Sequence, residues 1–150
     1  FASSRSTEKT ETFDLSELLI DTINKYEKKE IISNIPVRVY LDGRKNLIKR
    51  CIQNLMDNSI KYSNNITVSL KKLESSVNIT VDDDGPGIPK SERENVLKPF
   101  YKINKSRGDS KSSVGLGLSI ASDIVRSHGG NLKLENSPKN GLRVMIFLPF

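Results

Sequence analysis

The sequence predicts an α/β domain, a two-layer α/β sandwich in which a mixed, mostly antiparallel sheet carries its helices on one face. Three observations predict it. Residues 15–26 and 47–56 place apolar side chains at helical spacing. Residues 66–82 hold two period-two runs, "ITVSLKKL" and "VNITVD". A third helical stretch is followed by two further alternating runs, "NLKLEN" and "GLRVMIFLP". At 150 residues, helices interleaved with paired strands suit one core between two layers.

The leader "FASSRSTEKTET" is polar and rich in Ser and Thr, which reads as a linker or the end of a preceding helix, with the linker at 1–11 and the domain at 12–150. Asp14 supplies an N-cap oxygen and Glu17 the capping-box position for a first helix, whose stripe is Leu15, Leu18, Leu19, Ile23 and Tyr26. "VRVYL" after Pro36 reads as a short strand. Asp42 is expected to cap a second helix that runs to about Tyr62, with Leu47, Ile48, Cys51, Ile52, Leu55 and Met56 buried. Glu74, Ser75 and Ser76 separate the two alternating runs, which read as a hairpin. Residues 85–113 read mostly as loop, with one short helix near Ser91 to Leu97, and loops of this length in compact domains are usually functional. A third helix from about Leu116 to Ser127 ends at Gly129, and two strands close the chain.

Cys51 is the only cysteine, so no intrachain disulfide forms and a reducing, cytoplasmic compartment is favoured. No stretch approaches the roughly 20 apolar residues that span a bilayer. The net charge of +6 is unevenly placed. Lys98, Lys102, Lys105, Arg107 and Lys111 crowd one segment, with Phe100 and Tyr101 the nearby aromatics. A nucleic-acid surface interleaves more exposed rings, so a loop closing over a smaller polyanion is the better reading.

Negative charge is concentrated in "VNITVDDDGPGIP". Val77, Ile79 and Val81 share one strand face, and the same parity turns Asp83 toward the core while Asp82 and Asp84 turn toward water. A buried, unpartnered carboxylate costs several kcal/mol, so Asp83 requires donors. On the second helix Asn54, Asn58 and Lys61 fall at i, i+4 and i+7 and so on one side. Asparagine is a mediocre helix former and a good neutral oxygen ligand for a hard cation. "GLGL" at 115–118 sits where a loop becomes a helix, a place where backbone amides can hold phosphate.

In order and spacing, "NLMDNSIKYS", "DDDGPGIP", "KPFYKINKSR" and "VGLGLSIASDIV" resemble the N, first glycine, F and second glycine boxes of sensor histidine kinases. The chain resembles their catalytic ATP-binding domain, of the Bergerat fold shared with gyrase, heat-shock chaperone and mismatch-repair ATPases, over residues 12–150. The resemblance implies that Asp83 accepts from the adenine amino group and that Gly85 and Gly87 pass close to the base. It implies Mg²⁺ on Asn58 with Asn54 beside it, Lys61 neutralising phosphate, and Tyr62 lining the nucleotide pocket. Residues 88–114 become an ATP lid with Phe100 as its latch and Lys102, Lys105 or Arg107 reaching phosphate. Gly115 and Gly117 contact phosphate through their amides, and Ile88, Leu116 and Leu118 complete the binding set. The implied activity is transfer of the γ-phosphate of Mg·ATP to a histidine on a separate dimerisation and phosphoacceptor domain, with a cognate response regulator downstream and no nucleic acid involved. The isolated domain is expected to be a monomer, and the full-length protein a homodimer anchored in a bacterial inner membrane.

Three features depart from the family's pattern. Leu97 stands where the F box begins with phenylalanine, Ser113 and Val114 precede GLGL in place of Gly-Gly or Gly-Thr, and no phosphoacceptor segment is present in the sequence. His128, the only histidine, sits in "SHGG" at a helix end and reads as a capping or packing residue. An EF-hand fails, because placing Gly85 at loop position six puts Thr80 and Ser91 on main ligand positions. A gyrase-like ATPase needs a glutamate where Asn54 stands, and an anti-sigma kinase or nucleotide-sensing module remains as a reading of another class.

Overall fold

The computed structural model describes residues 8–27, 30–98 and 116–150, with Leu116 described by its backbone alone. Helix α1 (Leu15–Ile23) begins where its spacing predicts, with Asp14 Oδ1 accepting from the Glu17 amide at 3.0 Å. Helix α2 (Lys45–Tyr62) buries Leu47, Ile48, Cys51, Ile52, Leu55 and Met56, the stripe read from its sequence. Helix α3 (Leu116–Ser127) also has its expected bounds.

The main sheet has five strands in the order β2 (Glu30–Asn34), β4 (Asn65–Lys72), β5 (Ser76–Asp83), β7 (Leu142–Pro149), β6 (Asn131–Asn136). β2 pairs parallel with β4, and every other pairing is antiparallel, so the sheet is mixed as expected. β1 (Glu11–Asp14) and β3 (Tyr40–Gly43) form a separate antiparallel pair. Val77, Ile79 and Val81 of central β5 pack in one cluster with Ile52, Leu55 and Met56 of α2 and Ile124 and Val125 of α3. Each such side chain contributes about 1.5–3 kcal/mol on burial, which fixes which sheet face the helices cover.

Several local expectations shift. β1 and β2 were not predicted, and Glu11 and Thr12, assigned from sequence to the polar leader, lie in β1. The strand expected at "VRVYL" starts later, at Tyr40, because Arg38 takes a left-handed backbone with φ 62°. Asp42 does not cap α2. It lies in β3, where its carboxylate accepts from the Thr12 hydroxyl, and Arg44 occupies the cap position without a side-chain cap bond. Glu8 does that work instead, its two oxygens accepting from the amides of Asn46 at 2.8 Å and Leu47 at 3.2 Å. The short helix expected near Ser91 to Leu97 is two 3-10 turns, Lys90–Glu92 and Asn95–Leu97.

Candidate functional site

Each of the three consecutive aspartates at the end of β5 has a different set of partners. Asp83 is buried, and its Oδ1 accepts from the main-chain amides of Gly85 and Leu142, both at 3.0 Å. Its Oδ2 takes no hydrogen bond among the described residues. Asp84 Oδ1 accepts from the amides of Asn64 and Asn65 at 2.9 and 3.0 Å, and its Oδ2 from Asn65 Nδ2 at 2.7 Å. Those bonds, the Asn65 side chain first, draw the Asp84 carboxyl down to about 2. Asp82 departs from its expected place in water. It is 6 % exposed and lies under Arg143, which donates from Nε to Oδ1 at 2.6 Å and from Nη2 to Oδ2 at 2.9 Å. The Arg143 guanidinium is in turn held above its ordinary value, chiefly by that bond.

The donors to Asp83 depend on close backbone approaches. A Cβ at residue 141 would lie 2.3 Å from the Asp83 carbonyl oxygen and 2.4 Å from Oδ1, so only glycine fits there. A Cβ at Gly85 would lie 2.6 Å from the carbonyl oxygen of Tyr62, the last residue of α2. Gly87 has φ 72° and passes over Gly141. The end of α2, the β5 loop and the turn before β7 thus meet around one carboxylate.

Asn54 and Asn58 are both half-buried on the side of α2 that the sequence assigned to them. Asn54 Nδ2 is fully buried with no hydrogen-bond partner among the described residues, a state that costs about 1–3 kcal/mol unless a ligand relieves it. A Cβ on Gly117 would stand 3.7 Å from the Asn54 carbonyl, so the start of α3 runs beside this side chain. Lys61 and Tyr62 are exposed, with the ammonium 5.5 Å from the ring centroid. Asp57, between the two asparagines, is engaged elsewhere. It accepts from the Tyr26 hydroxyl at 2.7 Å, and burial together with this carboxylate pushes the phenol well above its usual range. Ile88 packs partly buried against the core and Leu118 is buried within it. Phe100, Lys102, Lys105, Arg107 and Gly115 lie outside the described residues, as do residues 99–114 of the expected lid and the side chain of Leu116.

Asp84, Gly141, Leu142 and Arg143 were missed as contributors, and only Asp84 sits inside a motif that could have drawn attention to it. A cavity of about 400 Å³ lined by Glu94, Leu97, Lys98, Ser119, Asp123 and Arg126 contains none of the predicted site residues. Among the described residues no group of three or more His, Cys, Asp or Glu could hold a metal. Cys51 is buried and its thiol pushed up to about 12, a packing residue as its neighbours predicted.

The family model described as "Histidine kinase-, DNA gyrase B-, and HSP90-like ATPase" matches residues 43–150. The chain belongs to this ATPase family. Among its relatives, sensor histidine kinase CpxA of Escherichia coli is 36% identical over 123 residues, covering 81% of this chain and 27% of CpxA. Sensor histidine kinase WalK of Bacillus subtilis is 33% identical over 141 residues, covering 89% of this chain and 23% of WalK. The chain therefore spans about a quarter of the length of these curated relatives. The solved catalytic domain of histidine kinase ThkA shares the fold, with a TM-score of 0.82 at 24% identity over 94% of this chain and 95% of that one. No described helix of this family member is long and apolar enough to cross a membrane.

Proposed function

We propose that this chain binds ATP with Mg²⁺ and presents the γ-phosphate to a histidine on a separate domain of a two-component sensor kinase. The observation that carries this reading is the half-saturated carboxylate of Asp83. Two backbone amides fix Oδ1, and Oδ2 stays available to an amino group such as that of adenine. A guanine carbonyl in the same place would set oxygen against oxygen.

The residues present fit a magnesium ion on the phosphate side. Asn58 and Asn54 carry carboxamide oxygens, neutral ligands suited to a hard cation, while the buried Asn54 Nδ2, without a partner among the described residues, is a donor suited to a phosphate oxygen. Mg²⁺ bound there with the phosphates would neutralise their charge. Lys61 adds a mobile positive charge, and the start of α3 at Gly117 offers the helix amides and dipole to an anion. The protein's share in the reaction is placement and electrostatics, since no side chain needs to form a covalent bond.

Asn54 stands where the gyrase branch needs a general base, which favours transfer over hydrolysis. His128 is a poor acceptor in this chain. Its Nε2 accepts from the Arg44 amide at 3.0 Å and its Nδ1 lies 2.9 Å from the Ile124 carbonyl, so both ring nitrogens are engaged. On this reading the nucleophilic histidine, the dimer interface and an inner-membrane anchor lie on other segments of the full-length protein, and the response regulator is a separate partner. The test is γ-labelled ATP with the chain alone and with a domain carrying the phosphoacceptor histidine from the same protein. Acid-labile, base-stable label on the added domain, lost with Asn58→Ala, is expected. Rapid phosphate release by the chain alone moves the reading to a gyrase-like ATPase, and stable serine label to an anti-sigma kinase.

A further inference from the structure

We propose that Asp84 is a positioning residue, a clasp that sets the separation between the phosphate-facing side of α2 and the base-facing carboxylate of Asp83. The proposal rests on the nucleotide reading above and adds a residue to it. The clasp lies where α2 ends and β4 begins, with Asn64 and Asn65 just beyond Tyr62 and its C-cap Ser63. All three donors that Asp84 accepts come from this turn, and its own amide returns a bond to the Asn65 carbonyl at 3.3 Å.

A second observation at the same junction is independent of the carboxylate. The glycine after Asp84 approaches the Tyr62 carbonyl so closely that a Cβ would sit 2.6 Å from it. Such an approach leaves the junction little room to slide. Asn58 and Lys61 lie within the last turns of α2, and Asp83 immediately precedes Asp84. A shift of the turn therefore moves the phosphate groups relative to the base carboxylate while leaving each half-site internally intact. A ligand that spans both halves gains from their fixed separation, and one that occupies a single half does not. The carboxyl, drawn down to about 2, is ionised throughout the neutral range, so the clasp stays closed there.

The prediction separates this role from simple stabilisation of the turn. Binding of a non-hydrolysable ATP analogue with Mg²⁺, of adenosine, and of Mg·tripolyphosphate is measured by NMR titration on wild type, Asp84→Ala and Asp84→Asn, with melting curves alongside. Asp84→Ala is expected to weaken the ATP analogue about tenfold and each fragment less than about twofold. Asp84→Asn, which keeps an acceptor for the Asn64 and Asn65 amides, should recover most of the loss. Asn65→Ala removes one donor from the other side and should reproduce the selective pattern should Asp84→Ala fold poorly. Unchanged affinity for the ATP analogue in folded Asp84→Ala overturns the proposal, as does an equal loss for adenosine. Wild type that binds adenosine no better than guanosine overturns the nucleotide reading instead, independently of any substitution at Asp84.

Discussion

The main-chain amide of Leu142 donates to Oδ1 of Asp83 at 3.0 Å, joining residues 59 positions apart. The rotamer of the Asp83 carboxylate is thus set by the turn before β7, where Gly141 leaves no space for a side chain. Gly141→Ala forces backbone apart from backbone, an overpacking that costs about 1–3 kcal/mol of stability. Calorimetry should show nucleotide affinity falling along with the melting temperature. A variant that binds ATP as wild type does would show that Asp83 tolerates displacement.

Asp83→Asn replaces one acceptor oxygen by a donor. A hydrogen bond to a charged group is worth about 1.5–3 kcal/mol, so ATP affinity should drop roughly 10- to 150-fold. The wild-type preference for ATP over GTP should shrink with it. Equal ATP and GTP affinity in the wild type would falsify the base-reading role.

Arg143→Ala removes both the partner and part of the cover of Asp82. Breaking a fully buried pair costs about 3–5 kcal/mol. The Arg143 side chain is 30% exposed, so water moderates the penalty to about 1–3 kcal/mol. Urea unfolding should show this loss, and Asp82→Thr together with Arg143→Thr should recover a good part of it. Nucleotide selectivity should stay at the wild-type ratio, since the two side chains are engaged with each other rather than with Asp83.

His128 bonds the cap residue of α2 through a neutral ring. Burial lowers its pKa below the usual 6.5, opposed by the Ile124 carbonyl, aided by the Arg44 charge and opposed by Glu8. A histidine with a depressed folded-state pKa binds its proton more readily when unfolded. Its stabilising contribution is complete above pH 6.5 and is lost as pH falls through the lower, folded-state value. Melting temperature should therefore fall more steeply as pH drops from 6.5 toward the folded-state value in wild type than in His128→Gln, and parallel curves would remove the histidine as the cause.

The helices and the central strands were legible because their apolar spacing is local. The two short edge elements were not: β2 reads "EIISN" and is largely exposed, so only its pairing with β4 selects it. Asp42 carries a proper cap side chain, but pairing of β3 with β1 takes it away, and the cap comes from Glu8, 39 residues before Leu47. Parity found Asp83, whereas the burial of Asp82 depends on an arginine 61 residues distant. Gly141 looked like the first residue of a strand, and its constraint exists only once Asp83 is beside it.

The parallel pairing of β2 with β4 is the least local contact of that half of the sheet. β4 and β5 are joined by a three-residue turn at 73–75 and can zip together locally. β2 is separated from β4 by residues 35–64, which hold β3 and the whole of α2, so closing this pairing costs more loop entropy than closing the hairpin. β2 is an edge strand, held in the sheet through its pairing with β4. The same edge, with four of its five residues exposed, is the first to detach in a native fluctuation, and its amides should exchange with solvent faster than those of β5.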